Sequence, residues 1–113
     1  MPHRDWRFRI EDMLEAIARI QRHSKGLQFE GFLKDELVVD AVLRNLAVLG
    51  EASRHIPESI VAKSPEIPWA SIRGMRNVLV HDYFGVDLAS VWETVRNDLP
   101  PLVPLLRKLL QTY

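Results

Sequence analysis

Apolar residues in this sequence return at steps of three and four positions, the spacing of one face of an α-helix, and this periodicity constrains the fold more than any other feature. Ile10, Met13, Leu14, Ile17 and Ile20 make the first stripe and predict a helix over residues 5–24, with Gly26 as its stop. Asp35, Glu36 and Asp40 crowd the start of a second helix, where negative charge is favoured by the helix dipole. Its stripe of Val38, Ala41, Val42, Leu46, Leu49, Ala52 and Ile56 is broadened by Leu37, Val39, Leu43, Ala47 and Val48. So wide a face places this helix at the centre, touching neighbours on two sides, and Pro57 ends it. Between the two, residues 27–34 carry Phe29, Phe32 and Leu33 and read as a loop or a single helical turn.

A third helix is predicted from Pro68, with Trp69, Ile72, Met75 and Leu79 on its buried face and Gly85 at its close. The connector before it, residues 57–68, has room for one turn around Ile60 and Val61. Val78, Leu79, Val80, Tyr83 and Phe84 also favour strand, so a short strand over 78–84 is the competing reading; helix is preferred because no other segment offers a partner strand. Asp87 caps a fourth helix whose face is Leu88, Val91, Trp92, Val95 and Leu99, and Pro100, Pro101 and Pro104 are expected to interrupt it. Leu102 to Leu110 then form a last helical stretch, apolar enough to be either the closing side of the bundle or a partner surface. The expected class is all-α, an up-and-down bundle of four to five helices.

With 113 residues and 47% apolar composition, the chain fits one domain, 1–113, able to bury a core without disulfides. Having no Cys, it lacks a thiolate nucleophile and any Cys-x-x-Cys redox or metal site. Any chemistry falls to His, Arg, Tyr, Ser or carboxylates. The 15 basic residues balance 15 acidic ones, which argues against broad, charge-driven coating of a polyanion but leaves room for a local basic site. The charged start, Met1-Pro2-His3-Arg4-Asp5-Trp6, has no apolar leader, and no window of about 18 residues is free of charge. The expectation is a cytoplasmic protein with no membrane contact.

The most informative segment is Arg73-Gly74-Met75-Arg76-Asn77-Val78-Leu79-Val80-His81-Asp82-Tyr83. Arg76 is a permanent cation with a planar fork suited to phosphate, and His81 exchanges a proton near neutral pH. These are the groups needed to cleave an RNA phosphodiester through its own 2′-hydroxyl, leaving a 2′,3′-cyclic phosphate and a 5′-hydroxyl without a metal. On a regular helix, however, a step of five residues turns about 140°, so Arg76 and His81 face apart while Arg76 and Tyr83 nearly align. Convergence requires a helix that frays before His81, a long reach by the Arg side chain, or a second copy completing one groove.

Arg76 to Tyr83 matches the R-x4-H-x-Y motif of the HEPN superfamily, and the chain resembles its HepT-like branch along nearly its whole length. The resemblance is also carried by Ile10 to Ile17, by Ala41 to Leu46, by Leu49-Gly50-Glu51-Ala52, by Ile67-Pro68-Trp69 leading into Gly74-Met75-Arg76, and by Val86-Asp87-Leu88, Val91-Trp92 and Asn97-Asp98-Leu99-Pro100. It implies a metal-independent endoribonuclease toxin of a type VII-like toxin–antitoxin pair, without cofactor, acting on tRNA or mRNA. It further implies Arg76 and His81 as the catalytic pair with Asn77 assisting, and Tyr83 as the residue AMPylated by an MntA-like minimal nucleotidyltransferase antitoxin. Members of the branch are usually homodimers whose paired motifs line one cleft.

Arg73, three residues before Arg76, either extends the basic site or is a plain solvated residue. Arg44, Asn45 and Glu51 lie on the central helix, and Glu51 is open to two readings, orienting an Arg or merely solvating a face. Asp82 is open to pairing with an Arg or holding the His81 tautomer, although adjacent residues point apart on a helix. His3, His23 and His55 have no metal-ligand spacing, and no metal is assigned. Arg4, Arg7 and Arg9 form a basic cluster facing RNA, the partner or only solvent. Two rivals stand beside the enzyme reading: a non-catalytic nucleotide-binding or nucleotidyltransferase-docking module, and a structural helical dimer.

Overall fold

A computed structural model describes residues 5–77 and 87–113, and all regular structure among them is helical. Helix α1 (Trp6–Ser24) starts where the Asp5 carboxylate accepts a hydrogen bond from the Arg7 backbone N–H at 2.9 Å. After it the chain turns through Gly26 at φ 80°, a left-handed conformation that a side chain would strain. Residues Phe29–Lys34 form a short helix, α2, so the single-turn reading of that segment holds. Helix α3 (Glu36–Ser53) is capped by Asp35, whose side chain accepts from the Val38 N–H at 3.2 Å.

α1 and α3 make the most extensive helix pairing among the described residues. Ile10, Met13, Ile17 and Ile20 from one share a core with Val42, Leu43, Leu46 and Leu49 from the other, all buried, with Phe32 of α2 beside them. The Phe32 ring stacks on Trp92 at a centroid distance of 4.8 Å. α3 stops at Ser53, three residues before the predicted end, yet Ile56 remains buried in the turn that follows. The connector contains α4 (Glu58–Lys63), centred where Ile60 and Val61 suggested a turn.

Two expectations fail. The third helix does not run on from Pro68: α5 (Trp69–Gly74) ends at Gly74, and Met75 and Arg76 form a turn. The physical reason is tertiary, because the backbone at Arg76 lies against Gly50 of α3, as detailed below. Asn77 is helical again, and residues 78–85 of that predicted helix, with the alternative strand over 78–84, lie outside the described residues.

The second failure concerns the prolines. Helices α6 (Leu88–Glu93) and α7 (Leu99–Thr112) join without a break through a π-helical turn, Thr94–Asp98, in which the Leu99 N–H donates to the Thr94 carbonyl five residues back. Pro100 and Pro101 therefore fall directly after the π turn, at the first positions of α7, and Pro104 is carried inside the helix. Leu102, Leu106 and Leu109 are buried, and Val103, Leu105 and Leu110 pack partly against the same core, so the leucine-rich end closes the bundle. Among the described residues the exposed large apolar side chains are Phe8, Leu33, Leu37, Val48 and, just past the end of α7, Tyr113. No helix among the described residues is long and apolar enough to cross a membrane.

Candidate active site

The site is built where α5 meets α3. Trp69 opens α5 with its indole N–H donating to the Ser64 carbonyl at 3.1 Å, and Ile72 is fully buried, so the short helix is fixed at both its start and its inner face. A Cβ added at Gly50 would lie 2.5 Å from the Arg76 backbone nitrogen and 2.9 Å from the Ile72 carbonyl oxygen. Only glycine permits this approach, and its result is that the Arg76 backbone rests directly on the central helix.

From that position the Arg76 side chain reaches the next residue of α3. Its Nε lies 3.3 Å from Glu51 Oε1, with the two side chains 43% and 49% exposed. The other carboxylate oxygen, Oε2, is 3.3 Å from His55 Nε2, one helical turn on. A pair this exposed contributes only about 0–1 kcal/mol to stability, so its consequence is directional rather than energetic. Asn77 follows on the exposed surface. A groove of about 290 Å³ opens on the other side of Glu51, between α1 and α3, lined among others by Arg9, Asp12, Glu15 and Arg19. Its charges are mixed, and Arg19 is held by Glu15 at 3.0 Å.

Arg73 is turned to a different task. Nε donates to the Ser53 carbonyl and Nη2 to the Ile56 carbonyl, each at 3.4 Å, while Nη1 reaches Glu58 Oε1 at 3.2 Å. Helix α3 has no basic residue in its own last turn, so Arg73 supplies from α5 the cation that its C-terminal carbonyls favour. Asn45 is buried and donates to the Ala41 carbonyl of its own helix at 2.8 Å, and Arg44 is solvent-exposed. His81, Asp82 and Tyr83 lie outside the described residues, as do His3 and Arg4. Among the described residues no three of His, Asp and Glu come together as a metal-holding group.

Sequence reasoning marked Arg76 and left Glu51 open between orienting an Arg and merely solvating a face; it gave Gly50 no role of its own. The signal for Gly50 was present, since a glycine among the apolar positions of a long helix costs about 1 kcal/mol relative to Ala and points to a close backbone approach.

A family model described as "Ribonuclease HepT-like" matches residues 13–109. The chain belongs to the HepT-like ribonuclease family. Among HepT-like relatives, a Thermococcus cleftensis protein named "Probable ribonuclease HepT" is 42% identical over 107 residues, covering 95% of this chain and 94% of its own. A Methanocaldococcus jannaschii protein named "Putative RNase MJ1216" is 38% identical, covering 98% and 92% respectively. One from Caldanaerobacter subterraneus named "Putative RNase TTE0752" is 35% identical, covering 90% and 91%. No solved structure matches this HepT-like chain. The all-α bundle is thus joined to a ribonuclease family, and the matched region spans α3, α5 and the R-x4-H-x-Y segment between them and α6.

Proposed function

We propose that this chain is a metal-independent endoribonuclease acting as the toxin of a toxin–antitoxin pair, with Arg76 and His81 as its catalytic residues and Asn77 assisting. The observation that carries this reading is the placement of Arg76: the head of the motif sits at a helix break, half-exposed, its backbone seated on Gly50 and its guanidinium guided by Glu51. A buried Arg committed to its own helix would have argued for a purely structural role. In the proposed reaction a base takes the 2′-hydroxyl proton, O2′ attacks phosphorus, and the bond from phosphorus to O5′ breaks as an acid protonates the leaving oxygen. The products are a 2′,3′-cyclic phosphate and a 5′-hydroxyl. His81 serves proton transfer, and Arg76 stabilises the extra negative charge on the phosphorane-like transition state.

A homodimer brings two such motifs to one cleft, supplying both the base and the acid from paired His81 residues. The partner is an MntA-like minimal nucleotidyltransferase that transfers AMP to Tyr83. AMP on Tyr83 places phosphate charge within the motif itself, where it competes with the RNA backbone for Arg76. Arg73 is retained as a support of the site through the end of α3 that it holds.

Purified chain is expected to cleave tRNA or mRNA in the presence of a chelator, and Arg76→Ala or His81→Ala is expected to reduce the rate at least about a hundredfold, the scale of general acid–base catalysis. End-labelling and mass analysis should find cyclic phosphate termini. Binding of RNA or of the nucleotidyltransferase with no cleavage by unmodified protein would replace this reading with the docking module. Full activity of His81→Ala would remove the catalytic assignment.

A further inference from the structure

Resting on the ribonuclease reading above, we propose that Glu51 is a positioning residue that sets the direction of the Arg76 guanidinium towards the scissile phosphate. An arginine at a half-exposed surface has many rotamers, and a phosphate bound to a wandering cation gains little in the transition state. Here the rotamer is selected from outside the motif. Glu51 approaches Arg76 most closely at Nε, the nitrogen nearest the backbone, so the paired Nη groups at the tip of the fork are the part offered to a phosphate.

The carboxylate is itself guided from both ends. Its helix is α3, the central element of the core, and His55 lies at its second oxygen. Gly50, the residue before it, sets the Arg76 backbone at contact distance from the same helix. Backbone and side chain of Arg76 are therefore both referenced to two consecutive residues of α3, while the motif to which Arg76 belongs follows a separate element.

The electrostatics make the role separable from binding. A carboxylate beside the phosphate site repels RNA, so removing it should leave KM unchanged or lower it. A positioning role predicts the opposite sign for catalysis, a fall in kcat. Glu51→Ala is expected to lower kcat about fivefold with KM unchanged or reduced, the ceiling for a pair so exposed, and the isosteric Glu51→Gln, which keeps an acceptor for Nε, about twofold. In an Arg76→Lys background, where the charge remains but Nε and its fork are gone, Glu51→Ala should change kcat less than about twofold. If Arg76→Lys is too slow to follow, affinity for a 2′-deoxy, uncleavable RNA gives the same comparison: Glu51→Ala should act on it differently with Arg76 present and with Arg76→Lys.

Unchanged kcat in both Glu51 variants, or equal losses with Arg76 and with Arg76→Lys, would overturn the proposal while leaving the ribonuclease reading intact, provided that Arg76→Ala is inactive. If unmodified protein does not cleave RNA at all, it is the ribonuclease reading that fails, and the inference falls with it. Should Glu51→Ala lower the thermal midpoint enough to confuse its kinetics, the Glu51→Gln result alone decides, since that side chain preserves volume.

Discussion

At Gly50 two local effects oppose each other. Adding a methyl gains about 1 kcal/mol of helix propensity, while forcing it to within 2.5 Å of the Arg76 nitrogen incurs an overpacking cost of about 1–3 kcal/mol. The atoms in the way are backbone, which cannot rotate aside, so the cost wins. Gly50→Ala is expected to lower the urea midpoint and the RNA cleavage rate together; a raised midpoint with full activity would contradict the close approach. Arg73 makes a complementary case. Arg73→Ala leaves the Ser53 and Ile56 carbonyls without their charged donor and should destabilise the protein by about 1–2 kcal/mol, at the lower end for charged hydrogen bonds because both contacts are long. Equilibrium denaturation of Arg73→Ala beside Glu58→Ala separates the carbonyl contacts from the Glu58 ion pair, and the larger loss belongs to Arg73.

Asp87 governs the entry to α6. Its carboxylate accepts the Ser90 hydroxyl at 2.8 Å and the Ala89 and Ser90 N–H groups, and the Ser90 hydroxyl above all holds its pKa below the ordinary Asp value. A folded-state pKa that is depressed contributes stability above the unfolded-state value, near about 3.9, and loses it as pH falls through the folded value. Thermal midpoints should therefore decline more steeply with acid in the unmodified chain than in Asp87→Asn, which caps without titrating; parallel acid limbs would refute the cap's role. At this scale much was legible. The stripes of α1 and α3, the turn at Gly26 and the caps at Asp35 and Asp87 follow from local chemistry that a sequence carries openly. The break at Met75–Arg76 and the uninterrupted run from Leu88 to Thr112 did not, because one depends on a glycine about 25 residues away meeting Arg76 and the other on a π turn that shifts where the prolines fall. Arg76 was likewise readable from its motif, whereas the two readings of Glu51, orienting an Arg or solvating a face, are separated only when the fold brings it to the Arg76 Nε.

For the molecule as a whole, formal neutrality limits how RNA is held. With 15 charges of each sign, the chain has no net charge to draw RNA to its surface as a whole, so binding rests on a local contact around Arg76. The logarithm of RNA affinity should fall with the logarithm of salt at a slope of only about −1 to −3, the signature of a narrow contact with single-stranded nucleic acid. Filter binding across a salt series would measure it, and a slope near about −6 would indicate a broad basic surface instead. The Gly50 contact has one further consequence, for heredity. A glycine codon cannot change by any missense step to a residue lacking Cβ, so every amino-acid replacement there brings a carbon against the Arg76 backbone. The mutational target through which a cell could disarm this chain thus extends to a codon whose product needs no contact with RNA.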